Sequence, residues 1–203
     1  MNYPEYVKVG DKKYKINTDF KVALKCNKIA EDESIGNIER SLAIIYTLFG
    51  EEGINAREDY VKLLELAQKY LLCGKEYKDT DEKPDMDFEQ DYGLIWASIY
   101  GDFNGLDIDK EKIHWWKFMD LMNGLSNSEL GDCCALNRVR NFRNLDLSKI
   151  EDPKERQKAQ EIQNEIRIKK YDKKAKPHTK EQEEMVKKVH ELFGLRREWK
   201  YEW

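Results

Sequence analysis

The sequence predicts a mainly α protein: one helical domain that opens with a small β-hairpin and ends in a helical, charged extension. Three observations lead there. Period-two alternation appears as a pair of short runs at the start, around a Gly-Asp turn. From residue 18 onward apolar residues recur at three- and four-residue intervals, in stretches that begin with capping residues and mostly stop at glycine. Charge changes along the chain: residues 1–150 hold 21 basic and 28 acidic side chains, and residues 151–203 hold 15 and 12. The expected division is an acidic helical core domain over 1–147 and the charged extension over 148–203.

With 203 residues the chain can bury a core without staples. Charged residues reach 37%, yet 11 tyrosines, 7 phenylalanines and 5 tryptophans argue against disorder. No run of about 18 apolar residues occurs, and "MNYPEYVKVGDKK" lacks the features of a signal peptide, so a cytoplasmic protein without a membrane segment is expected. Cys26, Cys73, Cys133 and Cys134 form neither a disulfide framework nor a CxxC pair and read as thiols. Cys133, Cys134 and His114 lack a second ligand pair at metal-site spacing, so no metal is expected.

In order, "EYVKVGDKKYKIN" sets Val7 and Val9 against Tyr14 and Ile16 across Gly10-Asp11, a hairpin. "TDFKVALKCNKIAED" opens on Thr18 or Asp19 as a helix cap. "NIERSLAIIYTLFG" predicts a helix from Asn37 to Gly50 with Leu42, Ile45, Tyr46 and Phe49 as its stripe. The next helix takes Asn55 as cap, Tyr60, Leu63, Leu64, Ala67, Tyr70 and Leu71 as stripe, and Gly74 as stop. Residues 75–85 read as an exposed connection.

"DMDFEQDYGLIWASIYGDF" places carboxylates at a helix start, followed by a stripe of Phe88, Tyr92, Ile95, Trp96, Ile99 and Phe103. Asp85, Asp87, Glu89 and Asp91 alternate like calcium ligands, but Gln90 stands where an EF-hand loop needs glycine, so the acids are assigned to the helix dipole. "IHWWKFMDLMNGL" predicts a helix apolar on most sides, capped by Asp107 or Asp109, stopped by Gly124 and too short to cross a bilayer. Trp115, Trp116 and Phe118 of this helix, with Trp96 of the preceding one, are the expected structural core, and His114, Lys117, Asp120 and Asn123 are its polar strip. His114 and Asp120 are not at i, i+3 or i, i+4, and the chain has no nucleophile elbow, GxGxxG or HExxH. No catalytic residue, no cofactor and no enzyme activity are therefore expected. Near "LSKIEDPKERQ", Ser148 or Asp152 caps a further helix with Pro153 in its first turn.

The central block "DYGLIWASIYGDFNGLDI" and "IHWWKFMDLMNGLSNSELGDCCALNRVRN" resembles the bacteriophage gene-product-15 family of siphophages and prophages. The resemblance rests on Tyr92 and Ile95 after an acidic start, the His114-Trp115-Trp116-x-Phe118 run, the Leu121 and Asn123-Gly124-Leu125 ending, and Arg138 and Arg140 beyond. It covers residues 86–143 strongly; Cys133 and Cys134 stand where the family tends to carry aliphatic residues. It implies a non-catalytic tail assembly chaperone that binds tape measure or tail tube subunits, works in the host cytoplasm and is absent from the mature virion.

A competing reading, a nucleic-acid-binding or regulatory protein, rests on the basic stretch 167–176, "RIKKYDKKAK". The overall pI near 5.6 and the absence of a recognition motif weigh against nucleic acid. At the end, Thr179 to Gln182 is a capping box for a helix with Met185 and Val189 in its stripe, and "EWKYEW" alternates Trp199, Tyr201 and Trp203. These three aromatics, with Met119 and Met122, are the expected partner contacts, whether to a client or in a homo-oligomer.

Overall fold

The computed structural model describes residues 3–76, 84–127 and 133–172. Among them are seven α-helices and one two-stranded antiparallel sheet, so the fold is mainly α with an N-terminal hairpin. The described residues divide into two compact units: 3–76 with His114–Trp116, and 84–113 with 117–127 and 133–172.

In the first unit, strands β1 (Tyr6–Val9) and β2 (Lys12–Lys15) pair in the register Val7 to Tyr14. The loop has positive φ at Gly10, the first of its two residues, as in a type II′ turn. Tyr14 and Ile16 are buried, and Lys13 lies over the Tyr6 ring, 3.8 Å from its centroid. Helix α1 (Phe20–Ala30) is capped by Asp19, whose carboxylate accepts from Lys21 N at 2.9 Å, and it buries Phe20, Ala23, Cys26 and Ile29.

Helix α2 (Asn37–Asn55) starts at Gly36, whose N–H donates to the Glu39 carboxylate at 2.6 Å. Its helical backbone breaks at Gly50 (φ 65°, ψ −153°), a conformation that only glycine adopts without strain, so the expected stop is a kink followed by one more turn. Six side chains before the break, Leu42, Ala43, Ile44, Ile45, Leu48 and Phe49, are buried, a wider face than one stripe. Asn55 lies in that last turn and does not cap the next helix. A 3₁₀ turn, Arg57–Asp59, intervenes before α3 (Tyr60–Leu71). The Asp59 carboxylate is turned to the hairpin instead, accepting from Tyr14 Oη at 2.6 Å and Lys12 Nζ at 3.2 Å. Helix α3 buries Leu63, Ala67 and Tyr70 against the unit's core.

In the second unit, α4 (Tyr92–Asp102) follows a turn over 88–91, so Phe88 and the acids precede the helix and do not form its first turn. Ile95, Ser98 and Ile99 are its buried residues, while Trp96 is half-buried and stacks on exposed Tyr100 at 5.0 Å. Helix α5 (Trp115–Asn123) gives its first two residues to the first unit and the rest to the second. Within the second unit Phe118 is fully buried, with Phe88 at 6.4 Å between ring centroids.

Helix α6 (Ala135–Arg143) is started by two unusual acceptors: Cys134 Sγ takes Asn137 N–H at 3.4 Å and the buried Ser98 Oγ takes Leu136 N–H at 3.0 Å. Helix α7 (Pro153–Ile166) begins as its sequence predicts, with Asp152 as cap and Pro153 in the first turn. Side chains fasten α7 to α6. Gln163 Nε2 donates to Phe142 O and Leu145 O at 3.0 and 2.8 Å, and Arg143 Nε donates to Ile166 O at 2.6 Å.

Candidate functional site

Two side-chain constellations stand out, one in each unit. The first gathers around His114, Trp115 and Trp116. A helix ends with carbonyls that have no partner within it, and α3 ends with four such groups, on Gln68, Lys69, Tyr70 and Leu71. The chain reverses through Cys73 and Gly74, both with positive φ, and backbone N–H groups of Leu72, Gly74 and Cys73 reach Gln68 O, Lys69 O and Tyr70 O. The tryptophan pair supplies the remainder: Trp115 Nε1 donates to Leu71 O at 3.0 Å and Trp116 Nε1 to Tyr70 O at 2.9 Å. Two adjacent indoles thus close the C-terminus of a helix 44 and 46 residues earlier. Gly74 sits under this arrangement, where a Cβ would meet the Trp116 ring at 3.3 Å.

His114 holds the other end of the pair. Its backbone bridges Asp19, and Trp115 N donates to Thr18 O at 2.8 Å. Nδ1 accepts from Trp116 N at 3.0 Å, which makes the imidazole the N-cap of α5, in place of the expected Asp107 or Asp109. Nε2 lies 3.0 Å from Pro4 O, and a carbonyl only accepts, so Nε2–H is the donor of this bond. The ring stacks on Tyr3 at 5.0 Å and meets Tyr70 edge-on at 6.0 Å. Among the described residues the buried Tyr70 hydroxyl has no hydrogen-bond partner, and burial pushes its pKa up. Burial likewise pushes the Cys26 thiol up to about 12.

The second constellation is ionic. Asp91, 2% exposed, takes both Nη groups of Arg143 at 2.7 and 2.8 Å as well as Asp87 N–H at 2.9 Å. Asp85 accepts from Arg140 Nε at 3.1 Å, and Asp87 faces Lys170 Nζ at 3.5 Å while accepting Glu89 and Gln90 N–H. Gln90 then uses both ends of its amide on the backbone, donating to Arg167 O and accepting from Lys169 N, each at 2.9 Å. The alternating acids seat basic side chains of α6 and of the segment after α7, which the helix-dipole assignment did not foresee. Asp107 and Asp109 are committed nearby: Trp96 Nε1 donates to Asp107 and Tyr92 Oη to Asp109. Hydrogen bonds from Lys110 and Trp96 hold the Asp107 carboxyl down at about 2.

Of the four residues expected in the core, Trp115 and Phe118 are enclosed and Trp96 and Trp116 are half-buried, each with its indole nitrogen bonded. Met119 and Met122 are half-buried on α5. Trp199, Tyr201 and Trp203, the capping box at Thr179 and the end of the basic stretch lie outside the described residues. Cys133 is half-buried and Cys134 buried. Among the described residues, no three His, Cys, Asp or Glu converge to hold a metal ion, and no helix is long and apolar enough to cross a membrane.

No curated protein and no solved structure matches the chain. A family does. The family described as Bacteriophage Gp15 protein matches residues 2–168, which spans the first constellation, the second up to Arg167, and the seven helices of the described residues. A phage structural or morphogenetic role follows from that match, and the chain belongs to the Bacteriophage Gp15 protein family.

Proposed function

We propose that the protein is a non-catalytic tail assembly chaperone, which binds tape measure and/or tail tube subunits in the host cytoplasm and is absent from the finished virion. The observation that carries this reading is the family match over residues 2–168. The state of the polar side chains supports it: His114, Asp85, Asp91 and Asp107 are each bonded within the chain, as structural groups are. Met119, Met122, Trp199, Tyr201 and Trp203 are the residues proposed to contact the client or a second copy, because aromatic and methionine side chains give large contact area and adapt to an apolar helix.

The test is co-expression with the tape measure and tail tube proteins of the same phage. The reading expects more soluble tape measure in the presence of the chain, co-purification of the two, and no chain in purified virions. Recovery of the chain as a stoichiometric virion component, or tape measure solubility that does not change, refutes it. Light scattering on the isolated chain reads the homo-oligomer directly.

A further inference from the structure

We infer that the turn over 85–91 and α6 form a binding site for a short basic peptide with an aliphatic residue at its centre, and that residues 166–170 fill this site as a built-in ligand that a peptide of the same chemistry can displace. Three backbone groups of the segment are held by side chains. Arg143 Nε donates to Ile166 O at 2.6 Å, and the two ends of the Gln90 amide take Arg167 O and Lys169 N–H, each at 2.9 Å. A carbonyl and the N–H two residues further on are the pair that a neighbouring parallel strand binds, so Gln90 supplies from one side chain the contacts of strand addition. Backbone contacts of this kind accept any sequence. Selectivity comes from the side chains: Ile168 is 8% exposed between exposed Arg167 and Lys169, and Lys170 Nζ lies 3.5 Å from the Asp87 carboxylate.

The receiving groups are fixed in advance, whereas the segment is lightly held. Asp87 Oδ1 accepts the N–H groups of Glu89 and Gln90 at 3.0 and 2.7 Å, Asp91 accepts Asp87 N–H at 2.9 Å, and Asp91 also binds both Nη groups of Arg143. Such preorganisation lowers the cost of taking a ligand. On the other side, α7 buries one side chain, Ala159, and Ile168 is the one buried residue among 166–170. A helix and tail anchored by so little apolar surface open at the low end of the stability scale. Opening leaves the turn and α6 intact, with Gln90 and Arg143 still aimed at the place the segment has left. The inference does not rest on the chaperone reading.

Fluorescence anisotropy with a labelled peptide of residues 163–172, QNEIRIKKYD, tests this in the full-length protein. The wild-type chain presents its own segment at an effective concentration on the order of millimolar, which competes with the peptide. Ile168→Asp in the chain unseats that segment and is expected to raise the affinity for the peptide by about tenfold or more. Adding Gln90→Leu, a change at an exposed position, is expected to abolish the gain, and a peptide that itself carries Ile168→Asp should not bind. Equal affinity for the wild-type and Ile168→Asp chains, or binding undiminished by Gln90→Leu, overturns the proposal. A second readout needs no variant to fold. Hydrogen exchange at the Lys169 amide of the wild-type chain should be slowed by its bond to Gln90 and should quicken several-fold in excess unlabelled peptide, but not in a peptide of the same composition in scrambled order. An exchange rate that the native peptide leaves unchanged also overturns the proposal.

Discussion

Replacing each tryptophan of the pair by phenylalanine removes one indole N–H and leaves an aromatic ring in place, but the two losses should differ. Trp115 is 2% exposed, and its Nε1 is the donor that serves Leu71 O. Trp115→Phe therefore orphans a half-buried carbonyl, which costs about 1–2 kcal/mol, and the smaller ring adds about 1 kcal/mol of packing loss, for a total of roughly 2–3 kcal/mol. Trp116 is half-buried, and Tyr70 O also accepts Cys73 N–H at 3.0 Å, so Trp116→Phe removes the weaker need and is expected to cost about 0.5–1.5 kcal/mol. Equilibrium urea unfolding followed by far-ultraviolet circular dichroism reads both, with the m-value checked for constancy. If Trp116→Phe costs as much as Trp115→Phe, or if both lie within about 0.5 kcal/mol of wild type, the carbonyls are not the reason for the pair.

Four further outcomes are expected. Tyr70→Phe should be neutral or stabilising by up to about 1 kcal/mol, because the hydroxyl it removes is buried with no partner among the described residues; a loss above about 1 kcal/mol in the same assay would show that the hydroxyl is bonded in solution. Arg143→Met should cost about 3–5 kcal/mol by leaving Asp91 charged and buried, and Asp91→Asn combined with it should recover part of that loss, which a double-mutant cycle measures. The Asp107 carboxyl is held at about 2, below its ordinary value, so its contribution is present above about pH 4 and is lost on acidification toward pH 2; Asp107→Asn should flatten stability across that interval. With its thiol raised to about 12 by burial, Cys26 should resist alkylation in the native protein, while half-buried Cys73 and Cys133 react first; mass mapping after brief labelling decides this.

What the sequence made legible was local. The hairpin, Asp19 as cap, and Asp152 with Pro153 at the start of α7 each depend on residues a few positions apart, and each is found, whereas Gly50, expected to end its helix, kinks it and one more turn follows. Asn55 failed as a cap because a capping residue type says nothing about whether the preceding helix has ended; here it had not. The cap of α5 was missed for a different reason, since histidine is outside the usual cap repertoire and Asp107 and Asp109 offered the expected chemistry. The tryptophans were read as apolar bulk because their acceptors are backbone carbonyls of a tyrosine and a leucine, invisible in any side-chain pattern. Asp91 hid likewise behind a partner 52 residues away. The family resemblance, carried by the central block, was legible without any of these contacts.

The capping of α3 by residues 115 and 116 has a consequence for how the protein is made. A ribosome delivers the chain from its N-terminus at about 5–20 residues per second, so the first 76 residues wait roughly 2–8 s for the forty that follow. During that interval the hairpin and the first three helices exist without His114 to pin Pro4 and without the indoles that occupy Tyr70 O and Leu71 O. The last turn of α3 then lacks the two side-chain donors that it has in the folded chain, and it gains them only when a tripeptide from the middle of the gene arrives. A translational pause before codon 114 would lengthen the interval in which Tyr70 O and Leu71 O lack their indole donors.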